Sequence, residues 1–340
     1  MNIAVRSRPW APNVIGVRTQ PEDLDEERLL RALGEWGIGA TSVEYAPVGF
    51  GDHHWIAVGD AGEKWFVTVA DLELKGEQDS HAALRSLRAA MDTAAALRDE
   101  GRVDFVVAPL RAAGGETVRR LGPRYALSVF PFVDGVPGDF DQPRTAHERG
   151  AVLELLAELH RQAPPASVPV LDLELSMRGL LHSALNDAIR WASGPFTEPA
   201  RTLLSTHAPA ILRRVEEFDR LVEDVRRSDG APVLTHGEPH PGNLLQCESR
   251  YLLIDWDTVG LAPPERDLWS VAQSPEDLER YAEATGHTVN ASALTLYPLR
   301  WDLEEVSSYV DWFRAPHDRS LDTEEAWQGL LEAVAHLSEV

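Results

Sequence analysis

His236-Gly237-Glu238-Pro239-His240-Pro241-Gly242-Asn243 and, a short way on, Leu252-Leu253-Ile254-Asp255-Trp256-Asp257 decide how this chain is read. Each run adjoins or contains an apolar stretch of strand character, 232–234 before the first and 251–254 within the second. A short hairpin between them brings a carboxylate, an amide and a second carboxylate to its ends. Phosphoryl transfer calls for that set: one group to orient and deprotonate a hydroxyl, and two hard oxygen ligands to hold magnesium against nucleotide phosphates. Glu238 is placed to take the proton of an attacking hydroxyl. Asn243 follows in a loop tightened by Pro239, Pro241 and Gly242 and offers an amide oxygen to the metal. Asp255, at the end of a buried strand, is the expected bridging metal ligand. A transition metal at the histidine-rich turn around His240 is the weaker reading, because no second cluster of soft ligands accompanies it.

The rest of the composition narrows the partners. The 340 residues suffice for one large or two medium domains, and 44% hydrophobic and 26% charged content are ordinary for a globular protein. The net charge of −23 argues against nucleic acid or an anionic membrane surface as partner. Either it only keeps the surface soluble, or it favours a cationic small molecule. Cys247 is the only cysteine, which excludes an intrachain disulfide and a cysteine-based metal cluster. No run has the length of a membrane span, and 1–19 lacks the apolar core of an export signal, so a cytoplasmic location with no obligate protein partner is expected. Lys64 and Lys75 are the only lysines.

Outward from the two runs, the chain divides in two. Residues 1–22 read as a poorly ordered lead-in and 24–36 as a short amphipathic helix. Strands are expected at 41–48, 54–58 and 65–70, joined by Gly49-Phe50-Gly51-Asp52 and Gly59-Asp60-Ala61-Gly62. Leu84, Leu87, Met91 and Ala94 recur at helical spacing and predict a helix over 78–99. Two more strands are expected at 103–110 and 125–130. Pro and Gly concentrate in Phe130-Pro131-Phe132-Val133-Asp134-Gly135-Val136-Pro137-Gly138, the expected hinge. Beyond it come helical stripes: Val152 to Leu159, Ile211 to Val225, a helix capped by Ser274-Pro275 and closed at Gly286, Leu299 to Phe313, and Trp327 to Leu337. The fold class is therefore α+β, with a small antiparallel-sheet lobe over 1–131 and a larger helical lobe over 132–340.

Together these features resemble the aminoglycoside phosphotransferase family, which shares the protein-kinase-like fold and is similar to choline kinases. Its motif, H-G-D-x-x-x-x-N followed by I-D-[FW]-[DE] and a later D-L, is matched by His236 to Asn243, Ile254-Asp255-Trp256-Asp257 and Asp267-Leu268. The order of elements resembles the family over about 40–315, and the style looks nearest to the spectinomycin type. The resemblance implies transfer of the γ-phosphate of ATP, or GTP, with Mg²⁺, to a hydroxyl of an aminoglycoside or aminocyclitol, conferring resistance. It implies that His236 holds the loop, that Asp267 braces it, that Gly49 and Gly51 cover the phosphates, and that the backbone of Phe130, Phe132 and Val133 meets the adenine edge, although those side chains read equally as core. Asp257 is left as either a metal-shell group or a substrate contact. Asp302, Glu304, Glu305 and Asp311, with Trp301, Trp312 and Phe313, are candidates for an ammonium-bearing acceptor, against the plainer reading of a helix with one core face and one charged face.

The chain departs from the family twice. Glu238 stands where the family has aspartate, moving the carboxylate by about one methylene, and displacements near 1 Å can cost on the order of a hundredfold in rate. Thr68 stands where the third strand should carry the phosphate-binding lysine. Either Lys64 or Lys75, paired with Glu77 or Asp79, substitutes for it, or both are solvated surface residues, or an arginine or metal charge compensates. A kinase of choline, an amino sugar or another metabolite, and a catalytically silent pseudokinase, are the competing functions.

Overall fold

The computed structural model describes residues 18–49, 51–75, 79–139, 143–248 and 250–339. The predicted lead-in therefore lies almost wholly outside the described residues, as do Phe50 and Glu77. Helix α1 (Glu26–Leu33) starts at an Asp25 cap that accepts from Arg28 N. Strands β1 (Ala40–Ala46), β2 (His53–Gly59) and β3 (Lys64–Asp71) follow, then helix α2 (Ser80–Asp99) and strands β4 (Arg119–Leu121) and β5 (Tyr125–Pro131). The five strands form one antiparallel sheet in the order β1-β2-β3-β5-β4. Alternation gives each strand two uses. Trp55, Val67, Val69, Leu127 and Val129 pack beneath α1, whereas Ala70 and Ala126 meet Leu87, Met91 and Ala94 of α2.

The expected strand over 103–110 is corrected. The segment opens on a turn at 104–105 and makes only a single parallel bridge, from Val106 to Leu253 of the second lobe, where Val107 N donates to Leu253 O at 3.0 Å and Leu253 N to Phe105 O at 2.7 Å. Pro109 has no N–H to continue a ladder, which ends the pairing there. The fifth strand of the sheet is instead the short, arginine-rich β4.

The second lobe contains β6 (Val136–Pro137), α3 (Ala146–His160), α4 (Arg178–Leu185), α5 (Thr197–Arg226), β7 (Val233–Thr235), β8 (Leu244–Cys247), β9 (Arg250–Leu253), β10 (Gly260–Ala262), α6 (Glu265–Val271), α7 (Pro275–Thr285), α8 (Ala291–Arg314) and α9 (Leu321–Ser338). Ser274 caps α7 and Gly286 closes it in the left-handed conformation, as the sequence predicts. Helices α5 and α8 run further than expected because each contains a proline, Pro209 and Pro298, that reads as a boundary. Helices α4, α5, α8 and α9 share one core. A second core runs from α2 through Val106 to α3, Leu253, Trp256 and Leu268, so the lobes meet across continuous apolar packing. Strand β8 pairs with both β6 and β9, and β7 pairs with β10. These two small ladders present the loops described next.

Candidate active site

The loop after β7 is shaped by what it cannot accommodate. Gly237 has a φ of +103°, and a Cβ there would strike the Arg266 guanidinium. That guanidinium donates to Thr235 Oγ1 and Thr258 O, each at 2.9 Å. Buried Asp267 then ties the loop down: Oδ2 accepts from His236 N at 2.8 Å and from His160 Nε2 at 3.0 Å, and Oδ1 from Gly237 N at 2.6 Å. Burial opposes ionisation of Asp267, but the His160 hydrogen bond and nearby cationic groups outweigh it and hold the carboxyl below its ordinary range. Asp267 thus braces the loop, in the position the sequence predicts.

His236 links that loop to the next one. Its Nε2 donates to Ile254 O at 2.9 Å, while Nδ1 accepts from Glu238 N at 3.2 Å. These two partners require the neutral ring with the proton on Nε2, and burial lowers its pKa accordingly. Asn243 Nδ2 donates to Glu238 O at 3.1 Å, and Asn243 O accepts from Ile254 N at 3.1 Å. Glu238, Asn243 and the residue before Asp255 are therefore connected by direct hydrogen bonds around the mouth of the β8–β9 hairpin. Asp255 has a φ of +63°, a left-handed conformation that costs a non-glycine residue roughly 1–2 kcal/mol. Buried Trp256 follows it, with Nε1 bonded to Leu253 O at 3.0 Å and its ring edge-on to His236, 4.7 Å between centroids. This packing holds the strained turn.

Asp52 and Lys75, from the sheet lobe, face Asp257. Lys75 Nζ lies 2.8 Å from Asp52 Oδ1 and 3.0 Å from Asp257 Oδ2. Burial disfavours the ammonium charge, but the two carboxylates outweigh it and raise the Lys75 pKa. Burial also opposes ionisation of Asp257, yet Lys75 holds it low; Asp52 is raised by burial despite the same lysine, so Asp257 is the firmer counter-ion. Glu238 is pushed up to about 8, first by desolvation and then by Asp257. The enclosed cleft, then Asp257, Glu238 and Asp52, raise Asp255 well above its ordinary range. Because Asp255 keeps exposed surface, the crowding of like charge is the cause that weighs most.

This crowding is the test for a metal. Four acids, Asp52, Glu238, Asp255 and Asp257, gather around one lysine, and the Asn243 amide nitrogen is occupied by Glu238 O, which leaves the amide oxygen for a cation. Among the described residues no three His, Cys, Asp or Glu side chains form a ready metal cage. A hard divalent ion sharing its shell with phosphate oxygens fits such a set; a self-sufficient transition-metal site does not.

The remaining candidates separate. Gly49 (φ +73°) and Gly51 (φ +84°) form the turn between β1 and β2, above His54, whose Nδ1 is 3.2 Å from Thr68 Oγ1. Lys64 starts β3 at the opposite end, exposed, its Nζ 5.2 Å from the Phe132 ring centroid. The two lysines thus divide between the alternatives, Lys75 in the cleft and Lys64 on the surface. Of the two expected partners of Lys75, Glu77 lies outside the described residues and Asp79 instead caps α2 through His81 N and Ala82 N. Phe130 and Val133 pack against the core, and Val133 O accepts from Gly135 N. The α8 acids are mostly engaged structurally: Glu304 accepts from Ser176 N and Oγ, Asp311 pairs with Arg314, and buried Asp302 lies near His336. Phe313 is core and Trp312 stacks on it. Asp52 was not anticipated; its only sequence signal is that it follows Gly51.

Residues 49–300 match the model of the phosphotransferase enzyme family. No curated protein matches the chain. Among solved structures, the chain is similar to spectinomycin phosphotransferase in complex with ADP and spectinomycin (TM-score 0.72, 18% identity, covering 93% of this chain and 98% of that one). It is also similar to a microcompartment-associated aminopropanol kinase (TM-score 0.60, 17% identity, 91% and 95% covered) and to an amicoumacin kinase in complex with AMP-PNP, Ca²⁺ and its ligand (TM-score 0.59, 14% identity, 93% of each covered). At these identities the likeness is one of fold.

Proposed function

The chain belongs to the phosphotransferase enzyme family, and on that premise we propose that it moves the γ-phosphate of ATP, or GTP, to a hydroxyl of a cationic small molecule, an aminoglycoside or aminocyclitol antibiotic in the first instance. One observation carries the reading: the hydrogen bonds of His236, Asn243 and Ile254 join Glu238, Asn243 and the residue before Asp255 around one hairpin mouth. Glu238 is the base that accepts the hydroxyl proton as the acceptor oxygen bonds to phosphorus. A carboxyl near 8 is a stronger base than an ordinary glutamate. His236 orients Glu238 through its backbone, and Asp267 fixes His236. The backbone N–H groups of the Gly49–Gly51 turn offer donors to phosphate oxygens. Asn243 Oδ1 and the Asp255 carboxylate would hold Mg²⁺, which when bound supplies positive charge against the phosphates. The backbone near Phe130, Phe132 and Val133 would meet the nucleotide base.

A cationic acceptor is supported by the net charge of −23 and by relatives named for spectinomycin and aminopropanol. A second reading, a kinase of a small amino alcohol, is favoured by the aminopropanol kinase and by the structural commitment of the α8 acids. The test is mass spectrometry of a panel of aminoglycosides, aminocyclitols and amino alcohols incubated with the protein, Mg²⁺ and ATP or GTP. One added phosphate on an antibiotic supports the first reading, and phosphate only on amino alcohols the second. Intact nucleotide binding with no transfer to any acceptor overturns both and leaves the pseudokinase.

A further inference from the structure

The cleft face of β3 carries no positive charge at its midpoint. Thr68 stands there, bonded to His54. Helix α2, packed on that face of the sheet, contains no glutamate that could pair with a lysine. Its acids, Asp92 and Asp99, are engaged with Thr117 Oγ1 at 2.8 Å and Arg111 at 3.4 Å. The ammonium that does reach the cleft comes from beyond the end of the strand. Lys75 Nζ is held 2.8 Å from Asp52, next to the glycine turn, and 3.0 Å from Asp257, two residues past the candidate metal ligand Asp255. Lysine is a point charge on a flexible stem, so its useful position is set by where Nζ is held and not by which backbone position supplies it.

We propose that Lys75 is the cation that grips the nucleotide phosphates in this chain, and that Asp52 and Asp257 are positioning residues that hold its ammonium between the glycine turn and the Asp255 loop. The proposal rests on the phosphotransferase reading above. Tethering by two carboxylates fixes a side chain that would otherwise lose rotamer freedom on binding. It also joins the two lobes by ion pairs that do not pass through α2. The side chain is only 23% exposed, so these pairs are shielded from solvent more than surface pairs are.

The test is calorimetric titration of the full chain with Mg²⁺ and, in turn, ATP, ADP and adenosine. Lys75→Met is expected to weaken ATP and ADP about 10- to 100-fold, the usual range for a charge-assisted hydrogen bond, and to leave adenosine unchanged. Lys75→Arg, which keeps the charge, should recover part of the loss. Equal weakening of adenosine would reduce Lys75 to a structural role, and unchanged ATP affinity would overturn the proposal. Should Lys75→Met not fold, Asp52→Asn keeps the ammonium and removes one tether; a loss of several-fold confined to ATP and ADP is expected, and no difference across the series overturns the positioning role. Failure of the wild-type protein to bind ATP or ADP, and GTP or GDP in a parallel titration, would overturn the phosphotransferase reading itself.

Discussion

Glu238 and Asp267 show how much of this site depends on single carboxylates. Glu238 reaches one methylene further than aspartate, and its backbone is fixed at both the amide and the carbonyl, by His236 and Asn243. Glu238→Gln keeps size and hydrogen bonding but removes the base, so turnover should fall about 100-fold or more with ADP affinity unchanged, read by steady-state kinetics and titration. Unaltered turnover would mean that positioning and charge suffice without a base. Asp267→Asn keeps the shape but exchanges an acceptor of three hydrogen bonds for an amide that cannot satisfy all three donors. A loss of about 3–5 kcal/mol in urea unfolding is expected, with a lower kcat. A purely catalytic defect with full stability would contradict the bracing role.

At the scale of elements, β2 introduces a pH dependence. His53 and His54 point to opposite faces of the strand, and burial lowers both; His54 is lowered to about 3. The unfolded chain takes up a proton on each near pH 6.5, whereas folded His54 does so only near 3. Between those values the unfolded state binds more protons, so stability rises with pH and is lost on acidification. From pH 7 to pH 5, His54 alone should cost up to about 2 kcal/mol. Urea unfolding of the wild type and His54→Gln at the two pH values measures this, and the variant should show the smaller difference. The same strand illustrates why tertiary packing overrides local pattern. Its alternation is legible in the sequence, but nothing local says that His54 will meet Thr68 from β3.

At the scale of the molecule, the second lobe draws on two apolar cores. The core through α2, α3, Leu253 and Trp256 underlies the loops that carry Glu238, Asn243 and Asp255, while α4, α5, α8 and α9 form a separate helical mass. Among the described residues no helix is long and apolar enough to cross a membrane. The charge of −23 acts at long range. For a cationic acceptor, raising the ionic strength from about 0.01 to 0.15 M shortens the screening length from about 30 to 8 Å and should raise KM several-fold with little change in kcat. An acceptor KM indifferent to salt would remove the charge argument.

The sequence alone determined the antiparallel-sheet and helical division, the capped helices and the spacing of Glu238, Asn243, Asp255 and Asp267, because turns, caps and apolar periods are local properties. It misplaced 103–110, missed β4 and α4, and cut α5 and α8 short, because strand pairing and tolerated prolines are decided by neighbours distant in the chain. Which of the two lysines enters the cleft was undetermined for the same reason. Only the folded chain places Lys75 between Asp52 and Asp257, residues 23 and 182 positions away, since an ion pair is fixed by where backbones converge in space and leaves no mark in the order of residues.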